Sequence, residues 1–278
     1  SIIITMPEGP EIRREADLIA KRLVGKVIQR IFFGLTRLEP YRTSLIGKTI
    51  IQVVTHGKAM MIYFEGGKIL YSHNQLYGKW YVSTIGNTPN TNRTLRICLS
   101  TDKHNALLYS ASEIEVLEQQ SLYKHSYLRK LGPDVLSSTT TAAVISERLM
   151  DRRFSSRRLS GLYLDQAFIA GIGNYLRSEI LYFAGVKPTS RPTDLNKRTV
   201  EKLAKYTLSL SVRSYRSGGI TNSPSTVESL KRRGEKRSRY RFAVFDRAGE
   251  ECYRCGEEIQ RFEANGRRVY ICSTCQHS

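Results

Sequence analysis

The stretch FIAGIGNYLRSEIL, residues 168–181, joins a glycine-rich turn to a run of apolar residues with helical spacing. Gly171 and Gly173 permit a tight turn that leaves backbone amides uncovered, and Asn174 is predicted to be the N-cap of the helix that follows. Because a helix N-terminus attracts negative charge, the stretch is a candidate anion site. An ordinary connection between two helices explains the same pattern equally well, so the choice depends on the rest of the chain.

The net charge indicates which anion to expect. The 278-residue chain has 44 Lys and Arg against 25 Asp and Glu, a formal charge of +19 that is far more than solubility requires. The charge is spread over both halves, and no apolar run approaches the roughly 20 residues of a membrane span, so nucleic acid is favoured over a membrane. A DNA phosphate is therefore the expected anion. The N-terminal apolar run is too short for a signal peptide, which predicts a cytoplasmic protein.

Four of the five cysteines form two pairs near the C-terminus, with a spacing typical of a metal site. Cys252 and Cys255 are separated by two residues, as are Cys272 and Cys275, and sixteen residues lie between the pairs. Two such pairs complete a tetrahedral thiolate site, so the pattern predicts one structural Zn²⁺. Cys98 stands apart and is interpreted as a buried, small apolar side chain.

A β-hairpin is predicted between the two cysteine pairs, from EIQRF (258–262) and RRVYI (267–271), with its turn at ANG, residues 264–266. Arg267 then lies near the tip, where a guanidinium is suited to a forked contact with phosphate. A solvated arginine on a strand is an equally good interpretation of this residue alone.

The N-terminal half is rich in short β runs. A helix is predicted to begin with Pro10 at its first position and to stop at Gly25. Seven runs of β-forming residues follow, separated by Gly, Asn, Asp and Lys: VIQRIFF, TIIQVVTH, AMMIYFE, KILYSH, KWYVS, TLRICLS and ALLYSAS. The pattern predicts an antiparallel β-sandwich or barrel with one covering helix.

LGPDVL, residues 131–136, interrupts the β pattern, and helical patterns dominate after it. Helices are predicted at about 141–150, 162–169, 174–184 and 195–214. The polar and basic segment 213–241 is predicted to be a mobile loop. Three domains are therefore predicted: a β-sandwich domain over residues 1–130, an all-α domain over residues 131–245 and a zinc finger over residues 246–278.

Two loops of the predicted sandwich carry residues that are open to two interpretations. Lys58 follows Gly57 in THGKAMM, between two strands, where a lysine is usually solvated. In SHNQLYGKW, Gln75, Leu76 and Tyr77 are suited to filling a base stack from which a nucleotide has been extruded. Taken alone, Leu76 and Tyr77 are better explained as core residues.

Six segments occur together in one order: MPEGPEI, THGKA, YSHNQLYG, LGPDVL, LDQAFIAGIGNYLR and the cysteine pairs ending in CQH. In these segments, from Met6 to His277, the chain resembles the formamidopyrimidine-DNA glycosylase and endonuclease VIII family. The resemblance implies an N-terminal β-sandwich, a helical domain with a helix-two-turn-helix motif, and a zinc finger. It also implies a monomeric DNA glycosylase and abasic-site lyase that acts on oxidised pyrimidines in double-stranded DNA. PEGPE and NQLYG favour the endonuclease VIII branch, with removal of purine lesions as the alternative.

The resemblance also implies roles for individual residues. Pro7 would attack C1′ of the damaged nucleotide through a secondary amine, Glu8 would act as general acid and base, and Lys58 would hold a flanking phosphate. Glu11 would assist in the pocket. The residues implied to contact DNA are Gln75, Leu76, Tyr77, Asn174 and Arg267.

Pro7 departs from the family pattern because SIIITM, residues 1–6, precedes it. Within a chain, the proline nitrogen is a tertiary amide with a delocalised lone pair, so it cannot form a Schiff base. Three interpretations are open: Met6 is the true initiator and is removed, residues 1–5 are a cloning remnant, or the extension is natural and abolishes the lyase. The first two are favoured together, because Met6 stands where the family's start is expected. The third leaves a non-catalytic zinc protein that binds damaged DNA.

Overall fold

The computed structural model describes residues 6–278, so the question of whether residues 1–5 block the Pro7 amine lies outside the described residues. The described chain divides into two compact units. Residues 6–7 and 11–130 form the first, called here the sandwich unit, and residues 8–10 and 131–278 form the second, the helical unit. Each unit has its own hydrophobic core.

The described part of the sandwich unit contains eight antiparallel strands. They are β1 Arg30–Phe33, β2 Ile50–His56, β3 Ala59–Phe64, β4 Lys68–His73, β5 Lys79–Thr84, β6 Leu95–Ser100, β7 His104–Tyr109 and β8 Glu113–Glu118. They form two four-stranded sheets with the orders β1-β6-β7-β5 and β2-β3-β4-β8. A short 3₁₀ helix, Thr36–Tyr41, and a one-turn helix α2, Arg42–Leu45, connect the first two strands.

One core lies between the two sheets, which confirms the predicted antiparallel β-sandwich. Ile97 and Leu108 of the first sheet belong to the same buried cluster as Ile62 and Leu70 of the second. Helix α1, Gly9–Leu23, covers this core, as predicted, and begins one residue before Pro10. Its buried apolar residues recur with helical spacing: Ile12, Ala16, Ile19 and Leu23.

The strand β8 was missed by sequence analysis. It reads EIEVLE, in which glutamates, depleted in strands, alternate with the apolar residues Ile114 and Val116. It pairs with β4, with Leu70 opposite Val116. Beyond β8, the chain forms 3₁₀ turns at Gln119–Lys124 and Leu128–Lys130, whose apolar side chains pack against a small second cluster around Tyr71.

The helical unit contains the helices α3 Ala142–Met150, α4 Leu159–Leu162, α5 Asn174–Ala184, α6 Lys197–Ser217, α7 Pro224–Arg232 and α8 Arg237–Tyr240. This confirms the predicted all-α middle of the chain. The helix predicted at 162–169 is wrong: α4 ends at Leu162, and successive turns fill the chain up to α5. The polar residues Asp165 and Gln166 cause this difference, since they bind the backbone amides of Ala167 and Gly171 rather than continuing a helix.

The basic segment 213–241 is not the single mobile loop that was predicted, because α7 and α8 lie within it. Ser223 caps α7 by accepting a hydrogen bond from Thr226 N, and Pro224 follows at the first helical position. Glu179 of α5, fully buried, accepts hydrogen bonds from Thr221 Oγ1 at 2.6 Å and from three backbone amides at 2.8–2.9 Å. Those amides belong to residues 243–245, so one buried carboxylate fixes the chain just before α7 and just after α8.

The C-terminal hairpin consists of β9, Gln260–Ala264, and β10, Arg267–Ile271, in antiparallel register. Asn265 and Gly266 form the turn with φ of 55° and 68°, the left-handed conformation that an Asn-Gly hairpin favours. Gln276 holds this module to the helical core, because its side chain accepts from Cys272 N and donates to the carbonyl of Val186. Over the described residues, no helix has both the length and the apolar character to cross a membrane.

Candidate active site

The carboxylate of Glu8 lies at the N-terminus of α5. Its Oε2 accepts hydrogen bonds from Gly173 N at 2.7 Å and Leu176 N at 3.3 Å, and its Oε1 accepts one from Tyr175 N at 2.8 Å. Glu8 is only 1% exposed, so these bonds are shielded from water. Three backbone donors and the positive end of the helix therefore stabilise a carboxylate directly after Pro7.

The predicted N-cap, Asn174, is wrong. Gly173 occupies the N-cap position, and Asn174 is the first residue inside the helix. The Oδ1 of Asn174 instead accepts a hydrogen bond from Arg177 Nη2 at 2.5 Å. The sequence predicts that the backbone amides at this helix end bind a DNA phosphate. They bind Glu8 instead, so the anion at this helix end is the protein's own carboxylate.

Three glycines make room for this arrangement. A Cβ on Gly173 would lie 2.5 Å from Glu8 Cδ, and a Cβ on Gly9 would lie 2.9 Å from Gly171 Cα. Gly171 has a φ of 102°, and its carbonyl accepts a hydrogen bond from Gly9 N at 2.8 Å. The glycines of FIAGIG are therefore explained by the close approach of residues 8 and 9 rather than by a ligand.

Arg177 links this helix end to the C-terminal hairpin, and sequence analysis missed it. The side chain is fully buried, and it donates to the carbonyls of Ser160 at 2.8 Å and Arg268 at 3.1 Å as well as to Asn174. Burial lowers the pKa of Arg177 to about 10; the negative charge of Glu8 opposes this shift and the positive charge of Arg267 adds to it. The only available signal was its position three residues after Asn174, on the same helical face.

Arg267 is exposed at the first position of β10, paired with Ala264 across the turn. Its charge acts on Arg177, whose guanidinium in turn binds Asn174. Within the helical unit, the structure therefore brings together Glu8, Asn174 and Arg267, three residues that are far apart in the sequence.

Within the sandwich unit, Lys58 lies in the turn between β2 and β3, after Gly57, which has a φ of 60°. Burial lowers the pKa of His73 to about 4, and the positive charge of Lys58 lowers it further. His73 is therefore neutral near pH 7, so its Nδ1 can accept the hydrogen bond that Gln75 N donates at 3.0 Å. This bond holds Gln75 in its left-handed conformation, with a φ of 51°.

Leu76 and Tyr77 lie at the tip of the loop between β4 and β5, and the interpretation of these residues as core is wrong. Leu76 is 37% exposed and Tyr77 is 51% exposed. The loop is nevertheless fixed, because Ser112 Oγ donates to Gln75 Oε1 at 2.7 Å and Arg93 donates to the carbonyl of Tyr77. We call residues 74–78 the wedge loop. Glu11 is partly buried in the first turn of α1.

The Sγ atoms of Cys252, Cys255, Cys272 and Cys275 all lie within 4.8 Å of one another. The Sγ atoms of Cys252 and Cys275 are 3.9 Å apart, and those of Cys255 and Cys272 are 3.4 Å apart, too far for a disulfide. A tetrahedral zinc with four thiolates requires separations of about 3.8 Å, so this cluster can hold a metal ion. Cys98 is partly buried, with its sulfur 3.5 Å from Ser100 Oγ.

Two family models match the chain. Residues 6–112 match the formamidopyrimidine-DNA glycosylase N-terminal domain, and residues 131–224 match the formamidopyrimidine-DNA glycosylase H2TH domain. The fold agrees: a crystal structure of Lactococcus lactis Fpg in complex with DNA containing N7-benzyl-Fapy-dG has a TM-score of 0.80 at 23% identity, over 98% of this chain and 100% of that one. The class of protein is a DNA glycosylase with abasic-site lyase activity.

Two curated relatives identify the branch. Endonuclease 8 of Pectobacterium atrosepticum is 44% identical over 271 residues, which is 98% of this chain and 100% of the relative. Endonuclease 8 of Escherichia coli is 43% identical over 272 residues, with the same shares of the two chains. The chain therefore belongs to the formamidopyrimidine-DNA glycosylase and endonuclease VIII family, which confirms the membership predicted from the six segments.

Gly173→Ala tests whether Glu8 occupies the helix end. Its Cβ must displace the carboxylate, so we expect the free energy of unfolding to fall by about 2–4 kcal/mol as hydrogen bonds to a charged acceptor are lost. Denaturant unfolding measures the change. Gly161→Ala is the matched control, because the atoms nearest to its Cβ belong to the side chain of Asn265, at 3.0–3.3 Å, and not to backbone or to a buried carboxylate.

The same substitution in a Glu8→Ala background makes the test specific. Without the carboxylate there is nothing to displace, so Gly173→Ala is expected to cost less than about 1 kcal/mol there. An equal cost in both backgrounds would show that Glu8 does not occupy the helix N-terminus.

Proposed function

We propose that this chain removes oxidised pyrimidines from double-stranded DNA as a monomer and then cleaves the abasic site by β- and δ-elimination through Pro7. The observation that carries the proposal is the buried carboxylate of Glu8, bound by three backbone amides immediately after Pro7. The PEGPE and NQLYG segments support a preference for pyrimidines over purines, because they resemble the endonuclease VIII branch.

Pro7 is the proposed nucleophile, acting once its nitrogen is the free N-terminal amine. The nitrogen lone pair forms a bond to C1′ of the damaged nucleotide, and the glycosidic bond breaks with its electron pair leaving on the base, which takes up a proton. The nitrogen then releases its own proton and the C1′–O4′ bond breaks, which leaves an iminium ion and a protonated O4′. Because proline is a secondary amine, this iminium has no N–H proton to lose and remains an electron sink.

The eliminations follow from the iminium ion. Loss of a C2′ proton expels the 3′ phosphate, and a second proton loss expels the 5′ phosphate. Glu8 is the proposed acid and base for these transfers: as a carboxylate it can take the proton from the Pro7 nitrogen and deliver it to O4′. The hydrogen bonds from three backbone amides hold the Glu8 carboxylate in one place while Pro7 reacts.

The remaining site residues are proposed to hold the DNA. Lys58, Asn174 and Arg267 would bind the phosphates that flank the lesion, with Arg267 as a forked contact from the hairpin tip. The wedge loop would place Gln75, Leu76 and Tyr77 in the stack left by the extruded nucleotide. The exposure of Leu76 and Tyr77 supports this role. Glu11 is proposed to line the pocket.

The four cysteines are proposed to bind one structural Zn²⁺. Four thiolates at tetrahedral spacing leave no open position for substrate, so the ion would stabilise the fold and take no part in the reaction. Gln276 and Tyr182, whose hydroxyl lies 3.3 Å from Cys252 Sγ, would orient the ligands.

Borohydride trapping on DNA that contains thymine glycol tests the nucleophile. A chain that begins at Pro7 is expected to form a reduced covalent adduct, whereas the chain carrying residues 1–6 is expected to form none, because its Pro7 nitrogen is an amide. Denaturing electrophoresis measures the adduct, with undamaged duplex as control. No adduct from the Pro7-start chain would refute the mechanism, and a strong preference for 8-oxoguanine would refute the proposed substrate class.

Arg267→Ala tests the phosphate contact. The slope of log affinity against log salt concentration is expected to fall by about one, as for one lost phosphate contact. Fluorescence anisotropy over a series of salt concentrations measures the slope. Arg261→Ala, an exposed arginine on the neighbouring strand, is the matched control. An unchanged slope for Arg267→Ala would place this residue away from the DNA backbone.

Metal analysis of the purified protein tests the zinc site. We expect one zinc per chain in the wild type and in Cys98→Ser, and loss of zinc with a lower melting temperature in Cys272→Ser, because three ligands bind zinc far more weakly. Retention of stoichiometric zinc by Cys272→Ser would contradict the four-cysteine assignment.

A further inference from the structure

Glu15 of α1 accepts hydrogen bonds from the first residue of the wedge loop and from the strand that follows the loop. Asn74 Nδ2 donates to its Oε2 at 2.8 Å, and Trp80 N donates to the same oxygen at 3.1 Å. Asn74 is the first residue of the loop, and Trp80 lies two residues after the last. Asn74 is 2% exposed and Trp80 is 3% exposed. One carboxylate oxygen therefore joins the two strands from which the loop extends.

Other contacts close the same loop beneath its exposed tip. Gly78 N donates to the carbonyl of Asn74 at 2.7 Å, and a Cβ on Gly78 would lie 2.5 Å from that oxygen. Trp80 Nε1 donates to Ser72 Oγ at 3.1 Å. Short contacts therefore close the base of the loop, and α1 contributes the Glu15 carboxylate to it.

The environment of Glu15 is unfavourable for a charged carboxylate. Burial raises the pKa of Glu15 to about 7, against the effects of its hydrogen bonds and of Lys79, and the charge of Glu11 raises it further. A buried carboxyl group costs stability unless its bonds compensate. An apolar residue at this position of α1 would carry a smaller free-energy cost of desolvation. It would, however, leave the side-chain amide of Asn74 and the backbone amide of Trp80 without this acceptor.

We propose that Glu15 is a positioning residue for DNA recognition, which fixes the base of the wedge loop so that Leu76 and Tyr77 are presented in the conformation that enters the base stack. The inference rests on the proposed function of the wedge loop. A loop already ordered before binding loses less conformational entropy when it inserts, so its contacts count more fully toward affinity.

The hydrogen bonds require an acceptor oxygen, not a charge. Glu15→Gln retains that oxygen, whereas Glu15→Ala removes it and leaves two buried donors unpaired. The two variants therefore separate the positioning role from a general effect of charge. Leu18→Ala, at an exposed position on the same helix, is the control for changes to α1.

Affinity for two duplexes, measured by fluorescence anisotropy on the full chain, tests the proposal without any chemical step. One duplex carries a stable tetrahydrofuran abasic analogue, which leaves a void for the wedge, and the other is undamaged. Glu15→Ala is expected to bind the abasic-analogue duplex on the order of tenfold more weakly, with unchanged affinity for the undamaged duplex. Glu15→Gln is expected to restore wild-type binding, and Leu76→Ala to share the selective loss.

Trp80 gives an independent structural readout, because it is the single tryptophan of the chain and donates directly to Glu15. Its emission is expected to shift to longer wavelength in Glu15→Ala, as water reaches the loop base, and to stay unchanged in Glu15→Gln. If Glu15→Ala does not fold, Asn74→Ala removes the opposite partner of the bond and is expected to show the same selective loss of binding.

The outcomes separate this inference from the proposed function. A wild type that binds both duplexes equally, or a Leu76→Ala variant without a selective loss, would overturn the wedge role itself. A selective loss in Leu76→Ala that is absent in Glu15→Ala would overturn the role of Glu15 alone. Equally weakened binding of Glu15→Ala to both duplexes would also overturn the role of Glu15, as would a Glu15→Gln variant that does not restore binding. Either result would mean that Glu15 has only a general structural role.

Discussion

The capture of the Glu8 carboxylate by the N-terminus of α5 is the interaction on which the helical unit depends. A helix end buried without a cap leaves several amides unpaired, and α5 has no capping side chain of its own. Glu8 supplies the missing acceptor from a distant part of the chain and is itself held by three donors. The same contact places a carboxylate immediately after Pro7, so fold stability and the proposed chemistry share one set of bonds.

This constraint extends through α5 to the C-terminal hairpin. Arg177, one turn into α5, binds the side chain of Asn174 and the carbonyl of Arg268, so the hairpin that carries Arg267 is tied to the same helix end as Glu8. Burial keeps this arginine away from solvent and makes it a structural link rather than a ligand for DNA. The proposed phosphate contacts of the helical unit are thus supported by a single buried guanidinium.

Local patterns predicted much of the fold, and long-range contacts account for most of the errors. The sandwich, α1 and the cysteine hairpin follow from alternation, helical spacing and fixed cysteine intervals, which are properties of neighbouring residues. The cap of α5 could not be predicted in this way: Asn174 is the better local cap, but Glu8 approaches so closely that only glycine fits at position 173. The interpretation of Tyr77 as core is wrong for a different reason: a large ring between two strands is usually buried, but this side chain is 51% exposed.

Amide hydrogen exchange at the start of α5 tests the central claim most directly. The first amides of a helix ordinarily exchange fast, but those of Gly173, Tyr175 and Leu176 are bonded to a buried carboxylate. We predict slow exchange at these three amides in the full chain and fast exchange in Glu8→Ala, with unchanged protection in the sandwich core. Exchange at the rate of exposed amides in the wild type would contradict the account.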